Sequence, residues 1–292
     1  MMVIEHDKLP TFGQTFSAAA LQAVRMKAGK ESEGTLPDTQ ARAKVTADRA
    51  VYADFAHLVG DSVATHLHPG YIHALGFPLT MSLLVRKDFP LPLLGMLHMT
   101  NRVTQTRGIE AGEEMEMIAS IGNARPHYAG TLLDSVVTVL VDGEEVLVDT
   151  AGYLVRGSEL GGPRPERPER EEFTPGIPTA QWKLGADAGQ RYAKVSGDAN
   201  PIHLNSLTSR PFGFKKPIIH GMYSASRAYS ATGVGSNGPR DWFVEFEAPI
   251  ALPGKVQFAT SREGNRVSYE GWREGRGDKP ARRHFNGYVE RG

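Results

Sequence analysis

The feature that most constrains this sequence is that its two halves repeat one another in the same order. The first half ends in GYLVRG, residues 152–157, and the chain ends in GYVERG, residues 287–292. AGEEMEMIASIGNA at 111–124 corresponds to PGKVQFATSREGNR at 253–266, and the VGD that begins at Val59 corresponds to the SGD that begins at Ser196. Because several matches share one order, the sequence predicts a duplicated domain, so any fold must be one that can be built twice.

A segment rich in proline, glycine and charge separates the halves. It reads GSELGGPRPERPEREEFTPGIP, residues 157–178, within a chain of 292 residues. Proline lacks an amide donor and glycine weakens regular structure, so such a segment is expected to cross a surface. We therefore predict a first domain over 1–156, a linker over 157–178 and a second domain over 179–292, each within the usual domain size.

The pattern of apolar residues predicts an α+β class. Helices are expected at 17–30 and 47–59 in the first half and at 218–232 in the second, where Pro217 suits the entry and Gly233 the exit. Alternating residues predict strands at 115–122, 131–155, 242–250, 255–262 and 266–274, with a hairpin turn at Asp142-Gly143. Several strands around one buried helix, twice over, are typical of α+β domains.

Composition excludes several classes of function. The 33 basic residues balance 33 acidic ones, which disfavours a nucleic-acid partner, since phosphate binding requires a basic excess. The absence of cysteine excludes disulfides, cysteine nucleophiles and thiolate metal ligands. The first residues lack a signal-peptide pattern, and no apolar stretch approaches the ~20 residues of a membrane span. We expect a soluble, cytoplasmic protein without a membrane partner.

The stretch SGDANPIHLN, residues 196–205, places an acid and an imidazole on one stiff turn. Pro201 fixes its own φ and disfavours the helical region for Asn200, so the stretch cannot be a helix interior. Asp198 and His203 on such a turn can face one water and divide proton transfer between them. The alternative is that Asp and Asn only form turns or cap helices. This stretch alone leaves both interpretations open.

A second stretch, KPIIHGMYSA at 216–225, favours the catalytic interpretation. It places His220 and Gly221 at the first turn of the helix expected in the second half. The first amides of a helix have no intrahelical partner and lie at the positive end of its dipole. A glycine there lets a substrate oxygen approach the backbone, which would form an oxyanion site. The alternative is an ordinary helix start with glycine for close packing.

Together, YAKVSGDANPIHLN and KPIIHGMYSASRA resemble the hydratase-2 signature of the MaoC-like (R)-specific enoyl-CoA hydratases and 3-hydroxyacyl-thioester dehydratases. The resemblance implies two hot-dog domains in one chain, each an antiparallel sheet wrapped around a central helix. In the first half, HPGYIHALGFPLTMSLL at 68–84 resembles a degenerate counterpart of the catalytic helix. The second domain is then the catalytic one and the first is non-catalytic.

The resemblance also implies roles for individual residues. Asp198 and His203 match the catalytic pair that activates one water, and Asn200 matches a supporting residue of the motif. The Gly221 N–H matches the group that binds the thioester oxygen, with His220 beside it in the substrate-binding set. The resemblance implies neither a metal nor a cofactor.

At one position the sequence departs from the family pattern. Many relatives have a serine eight residues after the glycine of the oxyanion site, whereas this chain has Tyr229 there, followed by Ser230. The departure leaves that contact with the substrate open.

The implied reaction is the reversible hydration of trans-2-enoyl thioesters to (3R)-hydroxyacyl thioesters. The substrate would be carried by coenzyme A or an acyl carrier protein, and a homodimer is compatible with the fold. The alternatives are a hot-dog acyl-thioesterase and a non-catalytic subunit that binds acyl thioesters. A thioesterase usually carries a carboxylate on the central helix, and residues 218–232 contain none.

The first half retains Gly60 and Asp61 but has no Asn-Pro-x-His after them, so we expect it to be non-catalytic. Its helix region is then free to make room for a longer acyl tail.

Three further patterns have simpler interpretations. The histidines at 66, 68 and 73 lack a clear fourth ligand, so a metal site is not expected. GVGSNG at 233–238 follows a helix instead of a strand, which predicts a helix-exit loop instead of a dinucleotide site. The basic run at 273–284 is expected to be a solvated hairpin loop. Its alternative role is to meet coenzyme A phosphates or an acidic carrier protein.

Overall fold

A computed structural model describes residues 1–27, 34–169 and 172–292 of the chain. The described residues form six α-helices and eleven β-strands. The helices are α1 Phe12–Lys27, α2 Arg49–Val59, α3 Pro69–Leu84, α4 Ala188–Ser196, α5 Ser206–Ser209 and α6 Gly221–Ala231. The helix expected at 17–30 corresponds to α1, and its last three residues lie outside the described residues. The helix expected at 47–59 is confirmed as α2.

The strands confirm the α+β class. They are β1 Met2–His6, β2 Thr39–Thr46, β3 Leu97–Gln105, β4 Glu114–His127, β5 Gly130–Val141, β6 Glu144–Arg156, β7 Ala180–Leu184, β8 Arg240–Phe246, β9 Gly254–Glu263, β10 Arg266–Arg273 and β11 Arg282–Arg291. Every strand expected from the alternating pattern is present. The pattern missed β1, β2, β3, β7 and β11, of which β1 and β7 are only five residues long.

The chain divides into two compact units. One unit comprises Met1–Ala47, Ile72–Asn101 and Gly112–Glu169, and the other comprises Asp48–Tyr71, Arg102–Ala111 and Arg170–Gly292. Residues from the first half of the sequence, including α2, thus belong to the second unit. The boundaries of the two hot-dog domains at 156 and 179 stay a prediction.

The first unit contains most of helix α3, from Ile72 onward. Its strands run in the order β1-β2-β4-β5-β6, antiparallel except for the parallel pair β1–β2. A Cβ on Gly76 of α3 would lie 2.9 Å from a methyl of Val137 on β5, so the helix packs directly on the sheet. The expected hairpin turn lies between β5 and β6, where Asp142 and Gly143 have φ of 53° and 82°. Positive φ at both positions is the type I′ geometry that twisted hairpins favour.

The second unit surrounds helix α6. Its strands run in the order β8-β11-β10-β9-β7, all antiparallel. The ring of Tyr229 on α6 lies 5.1 Å from that of Trp242 on β8, and the Arg227 guanidinium lies 4.8 Å above the Trp182 ring of β7. Aromatic side chains therefore fix the helix against the first and the last strand of this order.

Helix α6 begins three residues later than the sequence predicts. Its first residue is Gly221, and His220 is the N-cap. The Ile218 amide donates to the Ile202 carbonyl and the Ile219 amide donates to the Ile250 carbonyl, at 3.1 and 2.9 Å. These long-range bonds keep the two isoleucines extended. The prediction that the helix enters at Pro217 was therefore wrong.

Helix α4 was missed by the sequence pattern, which gave only one convincing helix in the second half. Its exposed residues interrupt the apolar periodicity, and Gly189 lowers its intrinsic helix propensity. Packing accounts for the glycine, because a Cβ at Gly189 would lie 2.1 Å from the His203 carbonyl oxygen. The helix is thus held tightly against the turn that carries the motif.

Among the described residues, no helix is both long and apolar enough to cross a membrane.

Candidate active site

The motif forms a compact turn directly after helix α4. Gly197 leaves the helix with φ of 75°, a conformation that glycine adopts without strain. The Asn200 side chain then accepts a hydrogen bond from the Ile202 amide, and Pro201 begins a single 3-10 turn over Pro201–His203. As the sequence predicts, the motif is a stiff turn and not a helix interior. Asn200 lies where its side chain supports this turn.

Asp198 is fixed in the turn by its backbone and its side chain. Its amide donates to the Ser196 Oγ at 3.2 Å, and its Oδ1 accepts from the Asn200 amide at 3.1 Å. The side chain remains 21% exposed, more than the histidines beside it. Its carboxylate is therefore held in one orientation and can still be reached from solution.

His203 is buried, and one of its two ring nitrogens has a defined partner. Nδ1 lies 2.8 Å from the Ile218 carbonyl oxygen, which can only accept a hydrogen bond. Nδ1 therefore carries a proton, and in the neutral ring Nε2 is left with a lone pair. The backbone of the segment that precedes α6 thus selects the tautomer in which Nε2 can accept a proton.

His220 connects the motif to the start of helix α6. Its Nε2 lies 2.9 Å from the Asp198 carbonyl oxygen, so Nε2 carries the proton. Its ring stacks on His203 with centroids 3.6 Å apart and packs against Tyr192 at 4.8 Å. One side chain therefore contacts the acid, the imidazole and helix α4. Its own Nδ1 is buried without a hydrogen-bond partner among the described residues.

The acid and the two imidazoles converge. A carboxylate oxygen of Asp198 and one ring nitrogen each of His203 and His220 all lie within 4.8 Å of one another. Two groups at that separation can each hydrogen bond to one water at about 2.8 Å. The same atoms have a geometry that a metal ion could use, but the Nε2 of His220 already donates to the Asp198 carbonyl. The arrangement suits a shared water without requiring a metal.

Both histidines are held neutral by burial. Burial lowers the pKa of His203 below its ordinary value, although the charge of Asp198 and the bond to the Ile218 carbonyl oppose the shift. Burial, and then the neighbouring His203, lower the pKa of His220 much further. At neutral pH the site therefore contains two uncharged imidazoles beside Asp198.

Gly221 is the first residue of α6 and follows His220 directly. Its amide belongs to the set that has no intrahelical partner, at the positive end of the helix dipole. A Cβ at this position would lie 3.1 Å from ring carbons of Phe246, closer than ordinary contact. The structure thus brings Asp198, His203, His220 and Gly221 together, with Asn200 supporting the turn.

At the position that departs from the family pattern, the side chains of Tyr229 and Ser230 make hydrogen bonds within the protein. The hydroxyl of Tyr229 donates to the Gly235 carbonyl and accepts from Arg240. Ser230 donates to the Ser226 carbonyl oxygen at 3.0 Å. Both side chains are therefore engaged within the protein.

Residues that support the site were missed in the sequence. Gly189 allows α4 to contact the motif turn, and Tyr192 packs against His220. Ser196 donates to the Tyr192 carbonyl and accepts from the Asp198 amide. The available signal was the position of all three within one segment that leads directly into Gly197 and Asp198.

The remaining patterns lie in separate parts of the fold. His68 lies 3.2 Å from the Ser226 carbonyl and His73 lies 2.6 Å from Asp149, so these two histidines have separate partners. Residues 233–238 form the exit from α6. Of the basic run at 273–284, residues 274–281 connect β10 to β11 in an exposed hairpin, whereas the ends of the run lie in the two strands and His284 is buried.

Both a protein family and a curated relative match the chain. A MaoC-like domain family matches residues 168–279, which include the whole motif. The 3-hydroxyacyl-thioester dehydratase X of Mycobacterium tuberculosis is 32% identical over 209 residues, covering 70% of this chain and 74% of that protein.

Solved structures show the same architecture. The crystal structure of HtdX from Mycobacterium tuberculosis has a TM-score of 0.72 at 25% identity, and covers 86% of this chain and 100% of that one. A further Mycobacterium tuberculosis protein with a double hot-dog fold has a TM-score of 0.53 at 14% identity, covering 85% and 94% of the two chains. The fold expected from the sequence, two hot-dog domains in one chain, is confirmed. The chain belongs to the MaoC-like dehydratases, hydro-lyases of the double hot-dog type.

Proposed function

We propose that the protein interconverts trans-2-enoyl thioesters and (3R)-hydroxyacyl thioesters, with Asp198 and His203 activating the water. The observation that carries the proposal is the convergence of their side chains within 4.8 Å beside the start of α6. A water between them can be deprotonated on one side while its oxygen is directed at the β-carbon of a bound enoyl group.

The hydration consumes no proton from solution and releases none to it. In hydration, the water oxygen forms a bond to the β-carbon as one member of the pair takes a proton from that water. The α-carbon then receives a proton from the same site, so no proton is gained or lost overall. Dehydration uses the same groups in reverse. The neutral His203, with Nδ1 held by the Ile218 carbonyl, suits the role of base.

Charge develops on the thioester oxygen as the β-carbon is attacked. The Gly221 amide at the start of α6 is the group that would meet this charge. One such donor contributes about 3–4 kcal/mol of transition-state stabilisation in comparable oxyanion holes. His220 acts through the acid and imidazole that it contacts, and so is a positioning residue in this proposal.

The test is a coupled assay with crotonyl-CoA. We expect enoyl absorbance to fall without release of thiol, and chiral analysis to find the (3R)-hydroxy product. Thiol release would instead indicate a thioesterase, an alternative disfavoured because α6 contains neither Asp nor Glu. Tight binding without turnover would indicate a non-catalytic subunit.

The acyl chain length is a separate part of the proposal. The first domain, which lacks the Asn-Pro-x-His motif, is expected to leave room for a longer acyl tail. Kinetics with C4 and C16 enoyl thioesters measure this directly. A strict preference for the C4 substrate would contradict the longer tail.

A further inference from the structure

A cavity of about 210 Å³ opens in the second unit, and neither Asp198 nor His203 lines it. It is several times larger than the ~30 Å³ that one water occupies in the liquid. It lies between the end of α2, the end of β7, the start of α4 and the middle of α6, and three cationic side chains line it. These are Lys183, Arg191 and Arg227.

Lys183 and Arg191 are exposed side chains, and Arg227 is half-buried. None of Lys183, Arg191 and Arg227 forms an ion pair within the described ranges of the chain. Asp187 also lines the cavity, but its carboxylate lies against Gly185, where a Cβ would be 2.6 Å from Oδ1. Like charges that share a concave surface repel one another, and a bound anion relieves that repulsion.

The guanidinium of Arg227 is held in one orientation by two neighbouring side chains. Its Nη1 donates to the Tyr223 hydroxyl at 3.0 Å, and its guanidinium lies 4.8 Å above the Trp182 ring. These contacts fix the orientation of the planar group and leave other donors available. A fixed guanidinium can bind two phosphate oxygens at once, which favours phosphate over a single-point anion.

Helix α4 adds to the positive potential of the cavity. Its first residue, Ala188, lines the cavity, and the Asp187 side chain makes no capping hydrogen bond there. The N-terminal end of a helix favours an anion through its dipole. Lys183, Arg191, Arg227 and this helix end therefore act in the same direction. The carboxylate of Asp187 and the C-terminal end of α2, which also lines the cavity, act against them.

We propose that this cavity binds a phosphate group of the thioester carrier, either coenzyme A or the phosphopantetheine of an acyl carrier protein. The assignment rests on the proposed function, since it takes the substrate to be such a thioester. Helix α6 carries Gly221 at its start and Arg227 about 9 Å further along its axis, at 1.5 Å per residue. An extended pantetheine arm spans more than that distance between its sulfur and its phosphate.

The kinetic test compares a substrate that carries phosphate with one that does not. For the Lys183→Gln/Arg191→Gln double variant, we expect KM for crotonyl-CoA to rise about 10-fold or more with kcat little changed. With the crotonyl thioester of N-acetylcysteamine, which has no phosphate, KM should match wild type. Asp187→Asn should change KM for crotonyl-CoA in the opposite direction, because it removes the opposing charge.

The matched control is Lys279→Gln, which removes one exposed cation from the basic hairpin between β10 and β11. We expect KM for crotonyl-CoA to stay at the wild-type value. An equal rise in KM in this variant would overturn the cavity assignment in favour of general charge attraction. The cavity assignment also fails if the double variant raises KM equally for the thioester without phosphate.

A binding measurement separates failure of this site from failure of the proposed function. Calorimetric titration with coenzyme A requires no turnover, and we expect about 10-fold weaker binding to the double variant. If neither thioester is turned over but this difference persists, the proposed function fails and the phosphate site stands. If turnover is normal and coenzyme A binds both proteins equally, only the phosphate site fails.

Titrations with coenzyme A, dephospho-coenzyme A and 4′-phosphopantetheine identify which phosphate the cavity binds. Each ligand is titrated into the wild type and into the double variant. If 4′-phosphopantetheine shows the full difference, the cavity binds the phosphate that coenzyme A and carrier proteins share. If only intact coenzyme A shows it, and dephospho-coenzyme A does not, the cavity binds the 3′-phosphate of the adenosine. Both results support the site, whereas equal binding of all three ligands to both proteins contradicts it.

Discussion

At the scale of single residues, the proton-accepting ability of each histidine depends on which of its ring nitrogens already donates a hydrogen bond. His203 uses Nδ1 to donate to a backbone carbonyl, and His220 uses Nε2 to donate to the carbonyl of Asp198. These bonds fix both tautomers, and burial holds both rings neutral. The site is therefore prepared to accept a proton before any substrate binds.

Substitutions of the proposed pair should remove activity without unfolding the protein. Asp198→Asn and His203→Gln keep the shape of each side chain but not its ability to take a proton, so kcat for crotonyl-CoA should fall about 10²- to 10⁴-fold. The matched control is Asp61→Asn, the equivalent acid of the first half, which should keep wild-type kcat. Near-normal turnover in either motif variant, with an unchanged melting temperature, would remove these roles.

The pH dependence of kcat/KM should reflect a base that remains neutral below the ordinary histidine range. Burial lowers the pKa of His203 from its ordinary 6.5, so its protonation begins only at more acidic pH. We expect kcat/KM to be flat near pH 8 and to fall on acidification with a midpoint below 6.5. A midpoint of the acid limb at or above 6.5 would contradict His203 as the neutral base.

At the scale of elements, the site depends on close contact between α4, the motif turn and the start of α6. Gly189 brings α4 against the His203 carbonyl, and the extended segment before α6 supplies the Ile218 carbonyl to the His203 ring. In each contact, the partner of His203 is a residue outside the proposed pair. The positions of the atoms proposed to act in catalysis are thus set in part by residues outside the proposed pair.

Gly189→Ala should damage the site through packing alone. The added Cβ would lie 2.1 Å from the His203 carbonyl oxygen, so either α4 or the motif turn must move. We expect a loss of about 1–3 kcal/mol in the free energy of unfolding, as for other overpacked sites, together with a fall in kcat. Urea denaturation and the crotonyl-CoA assay measure the two effects.

The control is Gly13→Ala in helix α1, where an added Cβ meets nothing within 4 Å. Alanine has the higher helix propensity, so this variant should gain up to about 1 kcal/mol and keep its kcat. Equal behaviour of the two variants would show that Gly189 is not a packing requirement.

At the scale of the whole molecule, several histidines are buried in the neutral form. Burial lowers the pKa of His68 and His98 to about 3 each and that of His284 to about 4. In the unfolded chain these side chains titrate near 6.5, so below that pH the unfolded state binds more protons than the folded state. Stability is therefore present above 6.5 and is lost as the pH falls toward the folded-state values.

We expect the free energy of unfolding to decrease from pH 7.5 to 5.5. Each such histidine contributes about 1.4 kcal/mol per pH unit below 6.5. His284→Asn retains a donor for the Ala248 carbonyl, which lies 3.1 Å from Nδ1, but does not titrate. In this variant, the free energy of unfolding should change less steeply with pH, by the contribution of one histidine. Urea denaturation at several pH values measures the slope, and a flat profile would contradict the neutral burial of these rings.

The sequence by itself determined the local features of this protein. Pro201 and Asn200 specify the turn, Asp142-Gly143 specify the hairpin, and the spacing of Asp198 and His203 specifies the candidate pair, because each depends on residues close in the chain. The repeated order of motifs likewise predicted a double fold, which the comparisons confirm.

Only the tertiary structure decided where helix α6 begins, that α4 exists, and that His220 stacks on His203. It also gathered Lys183, Arg191 and Arg227 around one cavity. These features depend on burial and on hydrogen bonds between residues far apart in sequence. Local propensity does not contain information about such contacts, and a long-range partner can override it at either end of a helix or strand.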